Sequence, residues 1–194
     1  TLTMRPAPAG TGIIFRRTDL PGTPGVPAKS TYITNTLRAT TLEQGPAKVF
    51  TVEHLLSALY AFHIDNCYLE MDSPEPPVAD GGALTFSRMI LDAGTVEQEE
   101  MTDVLTLEKS LSVYEDGKFI CALPYKGLRI TFTSINSHPL LGTQMRDILI
   151  DRDSYLKEIA PARTIGFTWE LDALRKMGLG KGGTLENAVV YSET

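Results

Sequence analysis

Residues 50–59 carry the sequence FTVEHLLSAL, which decides how the first half of the chain folds. Apolar residues at positions 52, 55, 56 and 59 follow the spacing of one face of an amphipathic helix. Thr51 is of a type favoured at the N-cap, so Glu53 and His54 are predicted to lie in the first turn. At about 100° per residue, both side chains fall outside the apolar stripe. The pattern therefore predicts an acid and an imidazole side by side, away from the core.

This Glu-His pair has two interpretations. The positive end of the helix dipole favours an ionised Glu53 and disfavours a protonated His54. A neutral imidazole can bind a metal ion, and a neighbouring carboxylate can act as general base on a metal-bound water. The alternative is a solvated first turn with an incidental histidine, because such pairs are common and the HExxH zinc motif is absent. Spacing alone leaves both open.

Composition limits the class of protein. The chain has 194 residues, 42% of them apolar, which allows one domain or two small ones. A net charge of −6 without a basic cluster argues against nucleic acid as a partner. Cys67 and Cys121 form neither a CxxC motif nor a disulfide framework, so a reducing cytoplasm is expected. Because no apolar stretch reaches the ~18 residues that span a bilayer, we expect no membrane anchor. A cytoplasmic monomer is the expected state.

The rest of the first half contains a strand, a turn and a second helix. Residues 66–71 alternate as a half-buried strand, and the turn Asp80-Gly81-Gly82 follows a proline-rich stretch. Asp80 either supports the site beside the helix N-terminus or only caps this turn. The second predicted helix is capped by Thr85, ended by Gly94, and marked by four apolar residues. These are Phe86, Met89, Ile90 and Ala93.

The second half repeats the order of strands followed by helices. Polar residues 97–103 mark the boundary, giving a first domain at 1–97, a linker at 98–106 and a second domain at 107–194. A hairpin turns at Asp116-Gly117, a strand covers 128–133, helices cover 151–159 and 167–177, and a strand covers 186–191. The predicted fold class is α+β: two similar subdomains, each a small, mostly antiparallel sheet layered on a pair of helices.

One glycine-rich segment invites a nucleotide-binding interpretation that its spacing excludes. Residues 178–184 read GLGKGGT, but Lys181 is followed by glycine, whereas a phosphate-binding loop has serine or threonine there. We therefore reject a nucleotidase.

Several collinear motifs together resemble one known family. They are RPAP (5–8), TGIIFRRTDL (11–20), TVEHLLSAL (51–59), IDN (64–66), DG (80–81), ARTIGF (162–167) and GGTLENA (182–188). They cover nearly the whole chain and resemble UDP-3-O-acyl-N-acetylglucosamine deacetylase, the zinc amidohydrolase of lipid A biosynthesis. The resemblance implies a site between two domains that hydrolyses the acetamide of UDP-3-O-acyl-N-acetylglucosamine and releases acetate.

The resemblance also implies residue roles. His54 corresponds to a zinc ligand, Glu53 to the general base, Asp80 to a supporting acid, and Thr164 to the residue that steadies the carbonyl and the oxyanion. His138, before Pro139, is expected in a loop that could approach the substrate. The residues that fall in the apolar passage for the acyl chain are Leu171, Gly180, Gly183, Thr184, Leu185 and Val190.

The departures from the family lower the expected activity of this chain. A catalytic zinc needs three protein ligands, and the family takes the other two from a segment absent here. His63 and His138 do not supply that pattern, and Asn136 and Ile165 replace aromatic residues. With its start at Thr1, the chain is interpreted as an inactive fragment, truncated at both ends, that binds zinc weakly. Two alternatives are a non-catalytic nucleotide-sugar or acyl-binding module and a metal hydrolase that uses His54 with His138.

Overall fold

A computed structural model describes residues 1–102, 104–176, 178–180 and 182–193 of the protein. Within these ranges the chain is a mixture of helices and small, mostly antiparallel sheets, which confirms the predicted α+β class. The strands in chain order are β1 (Leu2–Pro6), β2 (Ile13–Arg17), β3 (Gly25–Pro27), β4 (Ile33–Asn35), β5 (Thr41–Gln44), β6 (Ala47–Phe50), β7 (Cys67–Met71), β8 (Leu111–Glu115), β9 (Lys118–Ala122), β10 (Leu128–Ile135), β11 (Thr143–Ile150), β12 (Thr164–Phe167) and β13 (Ala188–Tyr191). The helices are α1 (Glu53–Ala61), α2 (Leu84–Ala93), α3 (Arg152–Ser154) and α4 (Leu171–Lys176).

The first half builds the core. Strands β1, β7, β2 and β3 form one sheet in that order, with β2 and β7 parallel, and β4, β5 and β6 form a meander. The sheet residues Phe15, Leu69 and Met71 are buried together with Leu55 and Leu59 of α1. The period of two in β7 and the helical period of α1 therefore point into one apolar interior, as their patterns predict.

Both helices of the first half begin without the predicted side-chain caps. Helix α1 starts at Glu53 after Val52, and Thr51 adopts a left-handed conformation with φ of +57°. Thr51 is thus one residue too early to act as the N-cap, so that prediction is wrong, although Glu53 and His54 do lie in the first turn. Thr85 lies inside α2, which begins at Leu84, so it is not the cap either. Gly94, with φ of +75°, ends α2 as predicted.

The second half consists of separate hairpins and short helices. Asp116 and Gly117 both have positive φ, which fits the tight turn between β8 and β9 and confirms that hairpin. Strands β10 and β11 pair antiparallel over their full length. The helix predicted at 151–159 begins at Arg152 after a capping box made by Asp151 and Ser154, and continues as a π-helical turn, Tyr155–Ile159.

The helix predicted over 167–177 starts later than expected. Residues Thr164–Phe167 form β12, which pairs in parallel with β13, and a 3₁₀ turn, Thr168–Glu170, precedes α4. The aromatic ring of Phe167 packs against Trp169, two residues later, and against Tyr191 of β13, so its partners do not lie on one face of a helix. Met177, Lys181, Asp103 and Thr194, to which parts of the predictions refer, lie outside the described residues.

The two halves meet through hydrogen bonds. Ser57 of α1 and Tyr155 share one between their hydroxyl groups at 2.8 Å. The backbone N–H of Ala83 donates to the carbonyl oxygen of Ala160 at 3.0 Å. These contacts attach the first half to the π-helical turn and the residues that follow it. The domain boundaries at 97 and 107 stay a prediction.

The second half leaves much of its apolar surface uncovered. Side chains on both faces of the hairpins are exposed, among them Phe119, Ile120 and Phe132. An apolar cavity of about 200 Å³ lies between α1 and the β10–β11 pair, lined by residues that include Tyr60 and Ile148. Among the described residues, no helix is long and apolar enough to cross a membrane.

Candidate functional site

Glu53 and His54 occupy the first turn of α1, off its buried face. Glu53 is exposed and His54 is half-buried, whereas Leu55 and Ala58 face the core. This confirms the predicted orientation of both side chains. The hydroxyl of Ser57 donates to the backbone carbonyl oxygen of His54 at 2.8 Å, so a side chain one turn later in α1 satisfies this carbonyl.

A loop of the first half holds the Glu53 carboxylate. The backbone N–H of Thr40 donates to Oε1 of Glu53. A hydrogen bond from a main-chain amide to an ionised acid is charge-assisted, so it fixes the side chain in one orientation. Because a carboxylate has about four lone-pair sites, Glu53 can still accept a hydrogen bond from a further donor such as water.

The turn Asp80-Gly81-Gly82 is wedged between the two halves. A Cβ atom on Gly81 would lie 1.5 Å from the carbonyl oxygen of Asn187, and one on Gly82 would lie 2.7 Å from that of Ala162. Only glycine permits such approaches, and φ of +79° at Gly81 adds a conformational requirement. The side chain of Asp80 accepts the N–H of Thr85 at 3.1 Å, so Asp80 takes over the capping of α2.

Thr164 lies directly against this turn. Its backbone N–H donates to the carbonyl oxygen of Gly81 at 2.8 Å, at the start of β12. The structure therefore brings the Asp-Gly turn of the first half next to the Ala-Arg-Thr motif of the second. The Thr164 side chain is exposed.

The segment that holds most of the predicted acyl-passage residues is shaped by Asn187. Its Oδ1 accepts the N–H of Thr184 at 2.8 Å, and its Nδ2 donates to the carbonyl of Gly182 at 3.0 Å. The guanidinium of Arg163 donates to the carbonyl oxygens of Leu185 and Glu186 at 3.2 and 3.1 Å. Asn187 is buried, and sequence reasoning missed it although it stands in the GGTLENA motif.

The predicted passage residues are distributed around that segment. Leu171 is half-buried at the start of α4, and Val190 is half-buried in β13. Gly180, Gly183, Thr184 and Leu185 lie exposed on the connection between α4 and β13. Their role as a passage for an acyl chain stays a prediction.

His138 is a buried residue with both ring nitrogens in hydrogen bonds. The N–H of Leu140 donates to Nδ1 at 3.2 Å, which makes Nε2 the protonated nitrogen that donates to the Ser192 carbonyl at 2.6 Å. The ring stacks near Trp169 and contacts Tyr191 edge-on. Only 4% of His138 is exposed. Through its contacts with Ser192 and Tyr191, it connects the turn after β10 to β13 and the residue that follows it. A contact of His138 with substrate stays a prediction.

The metal prediction rests on His54 alone within this chain. Over residues 1–102, 104–176, 178–180 and 182–193, no three His, Cys, Asp or Glu side chains gather in a way that could hold a metal ion. His63 is exposed just after α1, and His138 is engaged as described above. The described residues therefore do not by themselves make the three-ligand set of a catalytic zinc.

Sequence comparison identifies the family. The family described as UDP-3-O-acyl N-acetylglycosamine deacetylase matches residues 1–194. The UDP-3-O-acyl-N-acetylglucosamine deacetylase of Legionella pneumophila (strain Corby) is 43% identical over 194 residues, which cover 99% of this chain and 64% of that protein. The protein of the same name from Myxococcus xanthus (strain DK1622) is 42% identical over 193 residues, covering 100% and 62%. The chain thus spans less than two thirds of the length of these relatives. It belongs to the UDP-3-O-acyl-N-acetylglucosamine deacetylase family.

Proposed function

We propose that the full-length protein hydrolyses the acetamide of UDP-3-O-acyl-N-acetylglucosamine in lipid A biosynthesis, and that this chain supplies much of its active site. The family membership of the whole chain supports the reaction. The observation that carries the assignment of the site is the hydrogen bond from Thr164 to Gly81, which joins two family motifs far apart in sequence. The cytoplasm is the proposed compartment, in keeping with two free cysteines, and UDP-3-O-acyl-N-acetylglucosamine is the only partner proposed.

Glu53 is the proposed general base. Its carboxylate is exposed at the start of α1, with one oxygen held by the N–H of Thr40. As a water oxygen attacks the acetamide carbon, the carboxylate accepts a proton from that water. The tetrahedral intermediate then collapses, the C–N bond breaks, and the amine takes up a proton as acetate leaves. Positioned general bases typically contribute about 10²–10⁴-fold to a rate.

Thr164 is the proposed donor to the oxyanion. Because its backbone N–H already donates to the carbonyl oxygen of Gly81, the exposed hydroxyl is the group proposed to donate to the substrate carbonyl. One well-placed donor of this kind contributes about 10²–10³-fold. Asp80 is proposed to act indirectly, because its carboxylate holds the N–H of Thr85 and thereby fixes the turn on which Thr164 rests.

His54 is the proposed zinc ligand of this chain. The remaining ligands are proposed to lie in the part of the full-length protein that this chain does not cover. Zinc, when bound, polarises the substrate carbonyl and lowers the pKa of its water toward about 7. The described residues do not complete a set of zinc ligands. For the same reason the 194-residue chain alone is proposed to bind zinc weakly and to turn over little.

Acetate release by the full-length protein tests this proposal. The substrate is UDP-3-O-acyl-N-acetylglucosamine, with and without a zinc chelator. We expect Glu53→Gln and Thr164→Val to lower kcat by at least 10²-fold, and His54→Ala to abolish both activity and stoichiometric zinc. His63→Asn is the matched control, since His63 is an exposed histidine at the other end of α1.

Each alternative gives a different outcome. A wild-type protein that binds the substrate but releases no acetate would support a binding module. Full activity and full zinc content in His54→Ala would remove His54 as a ligand. Activity that depends on His54 together with His138, without any requirement for Glu53, would favour the alternative of a different metal hydrolase that uses these two histidines.

A further inference from the structure

We propose that the ion pair between Arg38 and Glu170, here called the clasp, positions Glu53 and couples it to the acyl passage. Nη2 of Arg38 lies 2.5 Å from Oε2 of Glu170. Arg38 belongs to the loop between β4 and β5 of the first half, and Glu170 ends the 3₁₀ turn before α4 in the second. The clasp therefore bridges the two halves. This inference rests on the proposed function of Glu53.

The loop that carries Arg38 has a defined shape. Oδ1 of Asn35 accepts the N–H of Leu37 at 2.7 Å, which closes a local turn. Arg38 then adopts a left-handed conformation with φ of +64°, an unfavourable one for a residue with a Cβ. Such a conformation persists where surrounding contacts determine it. The ion pair to Glu170 is the contact that anchors the Arg38 side chain.

The same loop delivers the hydrogen bond to the proposed base. Thr40, two residues after Arg38, donates its backbone N–H to Oε1 of Glu53. A displacement of Arg38 would move Thr40, because the intervening backbone is short. The Glu53 carboxylate would then lose its charge-assisted donor and sample other rotamers.

The other end of the clasp touches the proposed passage. Glu170 is followed directly by Leu171, the half-buried first residue of α4 and a predicted contact of the acyl chain. An acyl chain bound against Leu171 would hold Glu170 in place. Through Arg38 and Thr40, it would also hold the carboxylate of Glu53, the proposed base. Arg38 and Glu170 are thus positioning residues, not catalytic ones.

The expected effects are modest because the pair is partly exposed. The exposed fractions of the side chains are 43% for Arg38 and 29% for Glu170, so solvent screens their attraction. Exposed ion pairs have small coupling free energies, equivalent to changes of about two- to fivefold. We therefore expect kcat to fall about two- to fivefold in Arg38→Ala and in Glu170→Ala, with KM changing less than twofold.

A double-mutant cycle in the full-length protein tests the clasp. Arg38→Ala with Glu170→Ala should be no slower than either single variant, and the swapped pair Arg38→Glu with Glu170→Arg should recover most of the kcat. The matched control is the exposed pair Arg5–Glu70, with Nε and Oε2 2.6 Å apart. Alanine at either control position should leave kcat unchanged. Additive losses without recovery in the swapped pair would overturn the inference.

Amide hydrogen exchange at Thr40 gives a second readout that does not need catalysis. Exchange should become two- to fivefold faster in Arg38→Ala and in Glu170→Ala, and return toward the wild-type rate in the swapped pair. Unchanged protection of Thr40 in both single variants would also overturn the clasp. If the wild-type protein has no deacetylase activity, the proposed function fails, while this exchange measurement still decides whether the clasp holds the loop.

Discussion

Replacing Gly81 by alanine should separate the two halves of the proposed site. The new Cβ atom would lie 1.5 Å from the carbonyl oxygen of Asn187, whereas an ordinary contact is about 3.5 Å. The clashing atom belongs to the backbone, so no side-chain rotation relieves the contact. The turn must therefore move away from Asn187, and the 2.8 Å hydrogen bond from Thr164 to Gly81 is stretched or lost.

The cost follows from two contributions. A residue with a Cβ in the left-handed conformation of Gly81, at φ of +79°, costs about 1 kcal/mol. Loss of the Thr164 bond, and of the neighbouring bond from Ala83 to Ala160, costs about 1 kcal/mol each. We expect the free energy of unfolding to fall by about 3 kcal/mol, a large share of the 5–15 kcal/mol typical of folded proteins.

Equilibrium urea unfolding measures this loss, and Gly22→Ala provides the control. Gly22 has φ of +77°, yet a Cβ there meets nothing within 4 Å, so it carries the conformational cost alone. Gly22→Ala should therefore cost about 1 kcal/mol. If Gly81→Ala destabilises the protein no more than Gly22→Ala does, the close approach of the turn to Asn187 is refuted, and with it the way Thr164 is positioned.

Three further measurements address other contacts. Burial disfavours the charged phenolate of Tyr155 and raises its pKa, so the contribution of Tyr155 to the free energy of unfolding is present at pH 7 and lost above about pH 10. Tyr155→Phe removes the hydrogen bond to Ser57, so it should cost about 1 kcal/mol at pH 7 and weaken this loss of stability at alkaline pH in urea unfolding. Hydrogen bonds, first from Arg129 and second from Thr131, lower the pKa of Asp147 to about 2, so its contribution to the free energy of unfolding is present above about pH 4 and lost toward pH 2. Asp147→Asn should therefore reduce the change of stability between pH 4 and pH 2. An unchanged pH dependence in this variant would contradict the pair with Arg129. A thiol reagent should label exposed Cys121 quickly and Cys67 slowly, because burial raises the pKa of Cys67; equal rates would contradict its burial.

Local patterning predicted the parts of the fold that depend on near neighbours. The face of α1 and the alternation of β7 follow from apolar residues at fixed spacing, and both are buried as expected. The turn at Asp116-Gly117 follows from residue types that tolerate positive φ. In each case the physical cause lies within a few residues, so the sequence carries it directly.

The predictions failed where residue type and local spacing did not determine the backbone conformation. Thr51 has a good capping side chain, yet its left-handed backbone places it before the helix. Phe167 fits a helical apolar spacing, but it pairs with Tyr191 in a parallel sheet. Parallel pairing joins segments far apart in the sequence, and no local pattern announces the partner.

The support of the proposed base shows the deeper limit of sequence reasoning. The proposed chemistry needs a carboxylate and a hydroxyl, which only a few residue types provide, so Glu53 and Thr164 could be proposed from their motifs. The donor that orients Glu53 is a backbone N–H at position 40, and every residue except proline has one. Arg38 and Glu170 form an ion pair across 132 positions of sequence, and each looks like an ordinary surface charge. A motif therefore suggests which groups could react, whereas the groups that hold them become visible only when the fold brings them together.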